Sequence, residues 1–235
     1  MSNGRKRLKL RSDRRNEAIY SLGEVAHFMA LPMTTVRLWS MGQRYGNPPR
    51  LSRPLLRIAQ TTPPALSFWN LVEVYVLASI RRQHDVSMQK IRLALRYTSD
   101  ELGKERPLIE EDFLTDGVNL FVEQMASLVN VSKGGQIIIR ETLTNSLRRI
   151  DRDPQGLARR IYPWWKTPED PRHIQIDPFR SFGRPVVTGT GIPTSEIADR
   201  FRAGDSISHL AKDFEIASDL IETALRWEAI AEAAA

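Results

Sequence analysis

The sequence predicts a mainly α-helical protein with small β elements, with a helix-turn-helix unit at each end and a mixed α/β region between them. Two observations predict the ends: apolar residues recur at helical spacing in short segments, and Ser residues precede several of these segments as N-caps. A third predicts the middle, where short apolar runs are separated by turn residues such as Asp116 and Gly117. At 235 residues the chain is long enough for one large domain or two small ones.

The composition excludes several classes of protein. Hydrophobic residues make up 41% and charged residues 26%, which is ordinary for a soluble globular chain. The longest apolar run, Val74 to Ile80, is too short to span a bilayer, and the charged N-terminus lacks the apolar stretch of a secretory signal. Cys is absent, which excludes disulfides and Cys-based zinc sites. We therefore expect a cytoplasmic protein without a membrane partner.

The net charge of +6 is concentrated at the N-terminus. Residues 1–15 hold seven Lys or Arg against one Asp, and the rest of the chain is balanced. Such a segment has too few apolar residues to order itself in isolation, so residues 1–16 are predicted to form a disordered basic arm. A basic arm can lie along phosphates or enter a minor groove, which makes Arg5 and Arg7 candidate DNA contacts. A solubilising tail is the alternative.

A pair of short helices follows the arm. Ser21 and Glu24 form a predicted capping box at the start of the first helix, which runs from Leu22 to about Ala30 and ends before Pro32. The second helix runs from Met33 to about Ser40 and buries Val36. A helix that reads a DNA groove needs short polar and Arg side chains on its outer face. The polar candidates for that face are Thr34, Thr35, Arg37 and Ser40.

The segment after this pair predicts a wing and two longer helices. Residues 43–64 are rich in Pro, Gly, Asn and Arg, as loops and wings are. Its basic residues Arg44, Arg50 and Arg53 are candidate phosphate contacts. A short strand at 65–68 precedes helices predicted at 69–82 and 88–102, the second capped by Ser87. The whole unit covers residues 17–100.

The middle region, residues 101–160, is predicted to be mixed. Short strands are expected within 105–136, including a hairpin of 113–114 with 118–122, and a further strand at 136–139. A helix is expected over 141–150. Residues 161–172 contain three Pro and the pair Trp164-Trp165 and are predicted to be a linker, in which one Trp packs on the chain.

Residues 173–235 form the predicted C-terminal unit. A short strand at 174–176 and a Gly-rich stretch come first. Three helices are then predicted from Ser195 to Ala203, from Ile207 to Phe214 and from Asp219 to about Ala231, the last two separated by a turn of helix-turn-helix length. The outer face of the last helix carries Asp219, Glu222 and Glu228 against Arg226. This acidic balance favours self-association or partner binding over contact with phosphates.

Two resemblances sharpen this organisation. Tyr20 to Ala26 (YSLGEVA) and Thr34 to Trp39 (TTVRLW) resemble the start of a MerR-like winged helix-turn-helix, and the likeness continues over roughly residues 18–97. The wing is longer than in that family, and the absence of Cys means that metal sensing is not implied. Gly183 to Pro193 (GRPVVTGTGIP) and Gly204 to Phe214 (GDSISHLAKDF) are similar to the small helical family catalogued as domain of unknown function number 433. Gly191 stands where that family often has Arg.

These resemblances imply a function. Proteins of the second family often resemble VapB-type antitoxins, which are partnered with a small PIN-type nuclease toxin, and chains that join a MerR-like start to this C-terminal domain look like the longer antitoxins of that kind. The resemblance thus implies operator DNA and a toxin as partners, with a homodimer or a higher hetero-oligomer as the assembly. Arg side chains pair with carboxylates in forked geometry and could cover an acidic nuclease cleft. The partner-binding candidates are Arg180, Arg184, Arg200, Arg202, Arg226 and Trp227.

Other chemistries are weakly supported. The four His are scattered without metal-ligand spacing, and Gly189-Thr190-Gly191 lacks the frame of a phosphate-binding loop. We therefore predict no enzyme activity, no catalytic residues, no metal and no cofactor. A nuclease using carboxylates for Mg²⁺ is a third hypothesis, with Asp112, Asp116, Asp151 and Asp153 as its candidates. The main alternative to the antitoxin is a stand-alone, ligand-responsive MerR-like regulator in which the middle region is the sensor.

Overall fold

The structure, a computed structural model, describes residues 13–45, 50–83, 87–129, 133–164 and 169–234. It confirms the predicted fold class, since these residues are mainly helical with small antiparallel sheets. Arg5, Arg7 and Trp165 lie outside the described residues. In the part of the chain that is described, no helix is both long enough and apolar enough to cross a membrane.

The end of the basic arm is folded rather than disordered. Arg14–Asn16 form a 3-10 turn capped by Asp13, whose carboxylate accepts a hydrogen bond from the Arg15 amide. The buried Arg15 guanidinium pairs with Asp13 and Asp153, each at 2.7 Å, and lies 5.0 Å from the centroid of the Trp69 ring. The prediction of disorder is therefore wrong for residues 13–16. Two carboxylates and an aromatic face offset the desolvation of this cation, and one of them comes from a distant part of the chain.

The N-terminal helix pair forms as predicted. Strand β1 (Tyr20–Ser21) leads directly into helix α1 (Leu22–Phe28). The Glu24 amide donates to the Ser21 hydroxyl at 3.1 Å, and the Ser21 amide donates back to the Glu24 carboxylate at 2.8 Å, so the capping box is complete. Helix α2 (Met33–Met41) begins after Pro32, where a tight turn ends the first helix.

A hairpin and a small sheet follow α2. Strand β2 (Gln43–Tyr45) pairs antiparallel with β3 (Arg50–Ser52), within the segment whose composition predicted a loop or wing. Gly42 connects α2 to β2. Its φ of +71° is in the left-handed region, and a Cβ there would lie 2.1 Å from the Ser52 carbonyl oxygen, so this position requires glycine. Strands β4 (Gln60–Thr61) and β5 (Pro64–Leu66) join β1 in a three-stranded sheet of order β1-β5-β4.

Two long helices build most of the first core. Helix α3 (Phe68–Gln83) is buried on every side from Leu71 to Ile80, so it is the central helix of this unit. Helix α4 (Met88–Leu102) follows Ser87 and ends at Gly103 in the left-handed conformation. Both helices match their predicted positions, because each has long helical periodicity and clear end signals.

The strands predicted in the middle region are wrong. Phe113–Gly117 form a π-helical turn, and helices α5 (Val118–Val129) and α6 (Lys133–Leu147) replace the predicted hairpin and the strand at 136–139. A two-residue hairpin turn needs positive φ, which Gly117 does not have. A Cβ on Gly117 would lie 2.6 Å from the Phe113 ring, so this glycine serves close packing instead.

The strands described in the middle region form a short hairpin near its end, and an isolated β-bridge joins Glu110 to Leu157. Strand β6 (Ile150–Arg152) pairs with β7 (Ala158–Ile161), so the helix predicted to reach Ile150 ends earlier. The apolar residues of α5 nevertheless carried a helical signal. Val118, Phe121, Val122 and Met125 have helical spacing and are all buried.

The segment predicted as a linker packs against the central helices. Trp164 is buried, and its indole N–H donates to the Ser146 hydroxyl at 3.2 Å, as expected for one of the two Trp. Arg149 donates to the carbonyl of Tyr162 at 2.7 Å and to that of Asp170 at 2.5 Å. The start and the end of this segment are therefore both bound to one buried guanidinium.

The C-terminal unit has its own small core. Strands β8 (Ile174–Gln175) and β9 (Val186–Val187) pair antiparallel, and helices α7 (Thr194–Arg202), α8 (Ile207–Asp213) and α9 (Ser218–Ala234) close over them. The three helices match their predicted positions, and Ser206 caps α8 as expected. Phe201 was predicted to point inward and is instead exposed. The core residues are Ile174, Val187, Ile197, Leu210, Ile221, Ala224 and Trp227.

Candidate DNA-binding and partner-binding surfaces

Helix α2 presents one bare stripe to solvent. Met33, Arg37 and Met41 are exposed at four-residue spacing, and exposed Thr34 adjoins them. The helix contains no acidic residue, and no described carboxylate pairs with Arg37. This stripe combines a cation, a hydroxyl and two thioethers. Such a set can contact phosphates, guanine edges and thymine methyl groups.

Two of the four predicted recognition residues lie on the wrong face. Thr35 is 9% exposed and Ser40 is 2% exposed, so the prediction that they face outward is wrong. Each is four residues from a core residue of the same helix: Thr35 from Trp39, and Ser40 from Val36. That spacing puts all four on one face, so the signal was present in the sequence. The two thioethers of the outer stripe, Met33 and Met41, were missed because apolar residues were assigned to the core.

The base of the wing is fixed on the end of α2. The amides of Leu55 and Leu56 donate to the Trp39 carbonyl at 2.8 and 3.0 Å. Exposed Arg53 follows β3, and its carbonyl accepts a hydrogen bond of 2.6 Å from Arg92. Arg92 was not predicted, because it comes from α4, far away in sequence. It brings a further guanidinium to the root of the wing.

The other predicted wing residues are placed only by their backbone. Arg44 lies in β2 and Arg50 in β3, on opposite strands of the hairpin. Their side chains lie outside what the structure describes. Their predicted contacts with phosphate therefore stay a prediction.

A partly buried ion pair joins the first helix, α1, to the last helix, α9. His27 of α1 lies 2.7 Å from a carboxylate oxygen of Glu228 in α9, and the Thr194 hydroxyl donates to the other oxygen. The Glu228 side chain is 8% exposed, so the prediction that it lies on an acidic outer face of the last helix is wrong. Three elements that are distant in sequence thus meet at one carboxylate.

The ionisation of this pair favours the charged forms. The hydrogen bond with Glu228 raises the pKa of His27, although burial acts in the opposite direction. Burial alone would raise the pKa of Glu228, but the hydrogen bonds from His27 and Thr194 bring that pKa below its ordinary value. The pair is therefore an interaction whose strength depends on pH.

A second junction lies on the other side of α1. The phenol of buried Tyr20 donates to the Gly183 carbonyl at 2.9 Å. Burial raises the pKa of this phenol, which therefore stays neutral. Nearby, Arg160 pairs with Asp177 at 3.0 Å, and Ile161 and Ile176 form a two-way backbone bridge. The helix-turn-helix and the C-terminal unit are thus in direct contact.

The predicted partner-binding residues separate into two groups. Arg200 pairs with Asp205 and Asp213, each at 2.7 Å, and Arg226 pairs with Glu222 at 2.9 Å. Arg202 pairs with Asp199 and also with Glu232. The side chains of Arg180 and Arg184 are exposed, with no ion pair to any described residue. Trp227 is 3% exposed in the C-terminal core, so the prediction that it contacts a partner is wrong.

The carboxylates of the nuclease hypothesis do not come together. Asp112 pairs with Lys104 at 2.7 Å, Asp153 pairs with Arg15 at 2.7 Å, and Asp151 lies 3.6 Å from Arg160. Across the described ranges, no three acidic, His or Cys side chains are grouped so that they could hold a metal ion.

Comparisons with known proteins find two family matches in separate parts of the chain. Residues 18–95 match the family described as "Putative DNA-binding HTH domain", and residues 174–227 match "Protein of unknown function (DUF433)". The protein named "Putative antitoxin VapB45" of Mycobacterium tuberculosis is 28% identical over 242 residues, which cover 94% of this chain and 97% of the relative. "Uncharacterized protein Rv2308" of the same organism is 23% identical over 220 residues, 89% of each chain.

A solved structure has the same fold. The crystal structure of Rv2018 from Mycobacterium tuberculosis superposes with a TM-score of 0.69 at 24% identity, over 91% of this chain and 100% of that one. The likeness of fold therefore extends through the central helices that join the two matched regions. The N-terminal part of the chain is thus similar to a family described as a putative DNA-binding helix-turn-helix domain, and the C-terminal part is similar to the DUF433 family.

Proposed function

We propose that this protein is an antitoxin of a type II toxin-antitoxin system that represses its own operon. The observation that carries the proposal is the bare stripe of α2, Met33, Thr34, Arg37 and Met41, in a domain that matches a DNA-binding family. The likeness to a relative named as an antitoxin, over 94% of this chain, supports the second half of the proposal. No catalytic role is proposed, and the protein is expected to act in the cytoplasm.

In this proposal α2 enters the major groove of operator DNA. Arg37 contacts a guanine edge or a phosphate, and Thr34 contacts a phosphate or a thymine methyl group. The basic wing and arm residues add contacts that are independent of base sequence and weaken with salt. A homodimer would present two such helices to the half-sites of a two-fold operator.

The C-terminal half binds and neutralises a PIN-type ribonuclease. The carboxylates of such a toxin are the natural counterpart of exposed guanidinium groups. Arg180 and Arg184 are the candidates without a carboxylate partner among the residues that the structure describes, since Arg200, Arg202 and Arg226 already have carboxylate partners. Partner binding is therefore proposed for the surface that carries Arg180 and Arg184.

The test is a tagged pull-down from the native host, with mass identification of the proteins that co-purify. A small nuclease in near-equal amount, whose RNA cleavage stops when the antitoxin is added, is the expected result. DNA from upstream of the gene should bind more tightly than scrambled DNA of the same length at the same salt concentration. Specific DNA binding without any co-purifying protein would instead favour the ligand-responsive MerR-like regulator, with residues 101–160 as the sensor.

A further inference from the structure

The most exposed large apolar side chain in the described ranges is Phe182, at 86%. It stands on a short turn, residues 179–184, called here the Phe182 tip. Phe179, in the same turn, is half exposed. Large aromatic side chains are rarely left bare, because each carries a large apolar area and such residues dominate the energetics of interfaces. The turn follows Asp177 and comes directly before the Gly-rich stretch of the C-terminal domain.

The backbone of the Phe182 tip is strained. Ser181, Phe182 and Gly183 have consecutive φ angles of +45°, +55° and +77°. The left-handed region disfavours residues that carry a Cβ, at about 1–2 kcal/mol per residue. Such residues persist only where the surrounding structure fixes them, and they cluster at functional sites. Two successive strained residues, one of them a bare Phe, are therefore unusual on a surface turn.

Hydrogen bonds to residues outside the turn hold the Phe182 tip in this shape. The Ser181 hydroxyl donates to the Gly191 carbonyl at 3.0 Å, and the Gly183 carbonyl accepts from Tyr20 at 2.9 Å. The Asp177 carboxylate accepts from the Phe179 amide at 2.9 Å. These contacts come from both domains, so the tip is fixed before any partner arrives. A preorganised anchor loses less conformational entropy on binding.

The charge around the tip is positive. Exposed Arg180 and Arg184 flank Phe182, and the Arg14 guanidinium lies 5.9 Å from the centroid of the Phe179 ring. The Asp177 carboxylate, which accepts from the Phe179 amide, is 1% exposed and already paired with Arg160. Other exposed Arg of this domain have carboxylate partners in the chain, so the tip differs from its surroundings. An aromatic residue between Arg residues is also the composition of binding hot spots.

We propose that the Phe182 tip is the docking point for the partner protein, with Phe182 entering an apolar recess and Arg180 and Arg184 pairing with carboxylates around it. The inference rests on the proposed function for the partner's identity and adds the contact site and the chemistry of the partner's surface. An acidic protein fits the tip better than nucleic acid. Proteins that bind single strands lay aromatic rings along a groove that tracks the phosphates, whereas this Phe stands on a turn.

The rival surface is an apolar groove between α7 and α9, about 520 Å³ in volume, which is lined by Phe201 and Leu225. Its rim carries the paired charges Arg226–Glu222 and Arg202–Glu232, so it lacks a net sign that would select a partner. Phe201 is 43% exposed and belongs to the same domain as Phe182. It therefore provides a matched control for the removal of an exposed Phe.

The experiment measures binding of full-length variants to the nuclease that co-purifies with the wild-type chain. Phe182→Asn removes the ring and introduces a residue that tolerates the left-handed region. The thermal midpoint of this variant should therefore stay at or above that of the wild type. Its Kd for the nuclease should rise about thirtyfold or more, while Phe201→Ala should change it by less than about threefold. The double variant Arg180→Glu/Arg184→Glu should slow association, with an effect that shrinks at high salt.

Three outcomes would overturn the proposal. If Phe182→Asn binds the nuclease with wild-type affinity and Phe201→Ala binds it more weakly, the docking site is the groove between α7 and α9 instead. The antitoxin function would remain supported. Loss of DNA binding rather than nuclease binding in the tip variants would assign the tip to nucleic acid. If the wild-type chain captures no nuclease at all, the antitoxin function and this docking site are rejected together.

Discussion

The two helix pairs of this protein are built from the same local signals but leave different surfaces free. Helix α1 begins at capping residue Ser21 and helix α8 at Ser206, and in both pairs apolar residues at helical spacing form the core. In the first pair, the outer face of α2 is bare and lacks carboxylates. In the second pair, α9 turns Glu228 and Trp227 inward and pairs its exposed Arg226 with Glu222. A helix-turn-helix pattern alone therefore does not identify a DNA-binding face.

The comparison also shows how the two units are joined. The first helix of the N-terminal pair contacts the last helix of the C-terminal pair through His27 and Glu228, and Tyr20 contacts the turn that carries Phe182. Strand β1, which contains Tyr20, directly precedes α1, and the DNA-binding candidate α2 is the next helix along the chain. Changes at either junction are expected to affect both units.

The largest expected effect is at the Tyr20 junction. Gly183→Ala would place a Cβ 2.1 Å from the Tyr20 hydroxyl at a φ of +77°. We expect a loss of about 3 kcal/mol in the free energy of unfolding, because steric overlap and backbone strain add. Urea unfolding followed by circular dichroism measures this loss. The matched control is Gly191→Ala, whose new Cβ has its nearest neighbour at 4.0 Å. Equal losses of unfolding free energy in the two variants would contradict the claim that contact with Tyr20 makes Gly183 sensitive.

The partly buried bridge between His27 and Glu228 should be the next most sensitive contact. Glu228→Ala leaves His27 and Thr194 without their shared acceptor, and the expected loss is about 2–3 kcal/mol in the free energy of unfolding. Glu222→Ala removes the exposed pair with Arg226 on the same helix and should cost less than about 0.5 kcal/mol. Thermal unfolding of both variants compares a bridging contact and an exposed ion pair of the same helix. A loss below that of Glu222→Ala would show that the bridge does not join the units.

The same bridge predicts a pH dependence. The pKa of His27 is raised, so the stability it contributes is fully present below its ordinary value of 6.5 and is lost as pH rises through the raised pKa. The pKa of Glu228 is lowered, so its contribution is present above 4.5 and is lost as pH falls through the lowered pKa. The difference in urea midpoint between wild type and His27→Gln should therefore be largest between those two values. A difference that keeps growing into alkaline pH would be the opposite of this expectation.

The outer face of α2 provides the functional test of the comparison. Arg37→Ala should weaken binding to DNA from upstream of the gene by about tenfold to a hundredfold, as loss of a base or phosphate contact does. Arg226→Ala, an exposed Arg on the last helix of the other pair, should leave that affinity within about twofold. Fluorescence anisotropy at fixed salt measures both. A larger effect from Arg226 would exchange the roles assigned to the two helix pairs.

The smallest expected effects concern the caps. Ser21→Ala and Ser206→Ala should each cost about 1 kcal/mol in the free energy of unfolding. The loss at Ser21 should be the greater, because its hydroxyl accepts from the Glu24 amide and also donates to the charged Glu24 carboxylate. The Ser206 hydroxyl accepts from the His209 amide, and its other partner is the neutral Ser208 hydroxyl. Ser87→Ala is the control, since Ser87 precedes α4 without a side-chain cap bond. If Ser87→Ala lowered the free energy of unfolding as much as the other two variants, the side-chain cap bonds would not explain the losses at Ser21 and Ser206.

The sequence by itself determined the two helix pairs, the wing and the long helices α3 and α4. These elements depend on local interactions: a Ser before a helix, Pro32 or Gly204 at its end, and apolar residues every three or four positions. The middle region was predicted less well, because short apolar runs such as 118–122 fit a strand as readily as a buried helix. In the folded chain this run is helical, and Val118, Phe121, Val122 and Met125 are buried along α5.

Only the tertiary structure decided which polar groups are available for binding. Glu228 is enclosed by His27 and Thr194, whereas Arg180 and Arg184 are exposed and form no ion pair with any described residue. Each of these outcomes depends on partners far away along the chain, which local spacing does not specify. The exposed Phe182 has the same cause, because its left-handed backbone persists only where Tyr20 and Gly191 hold the turn from outside.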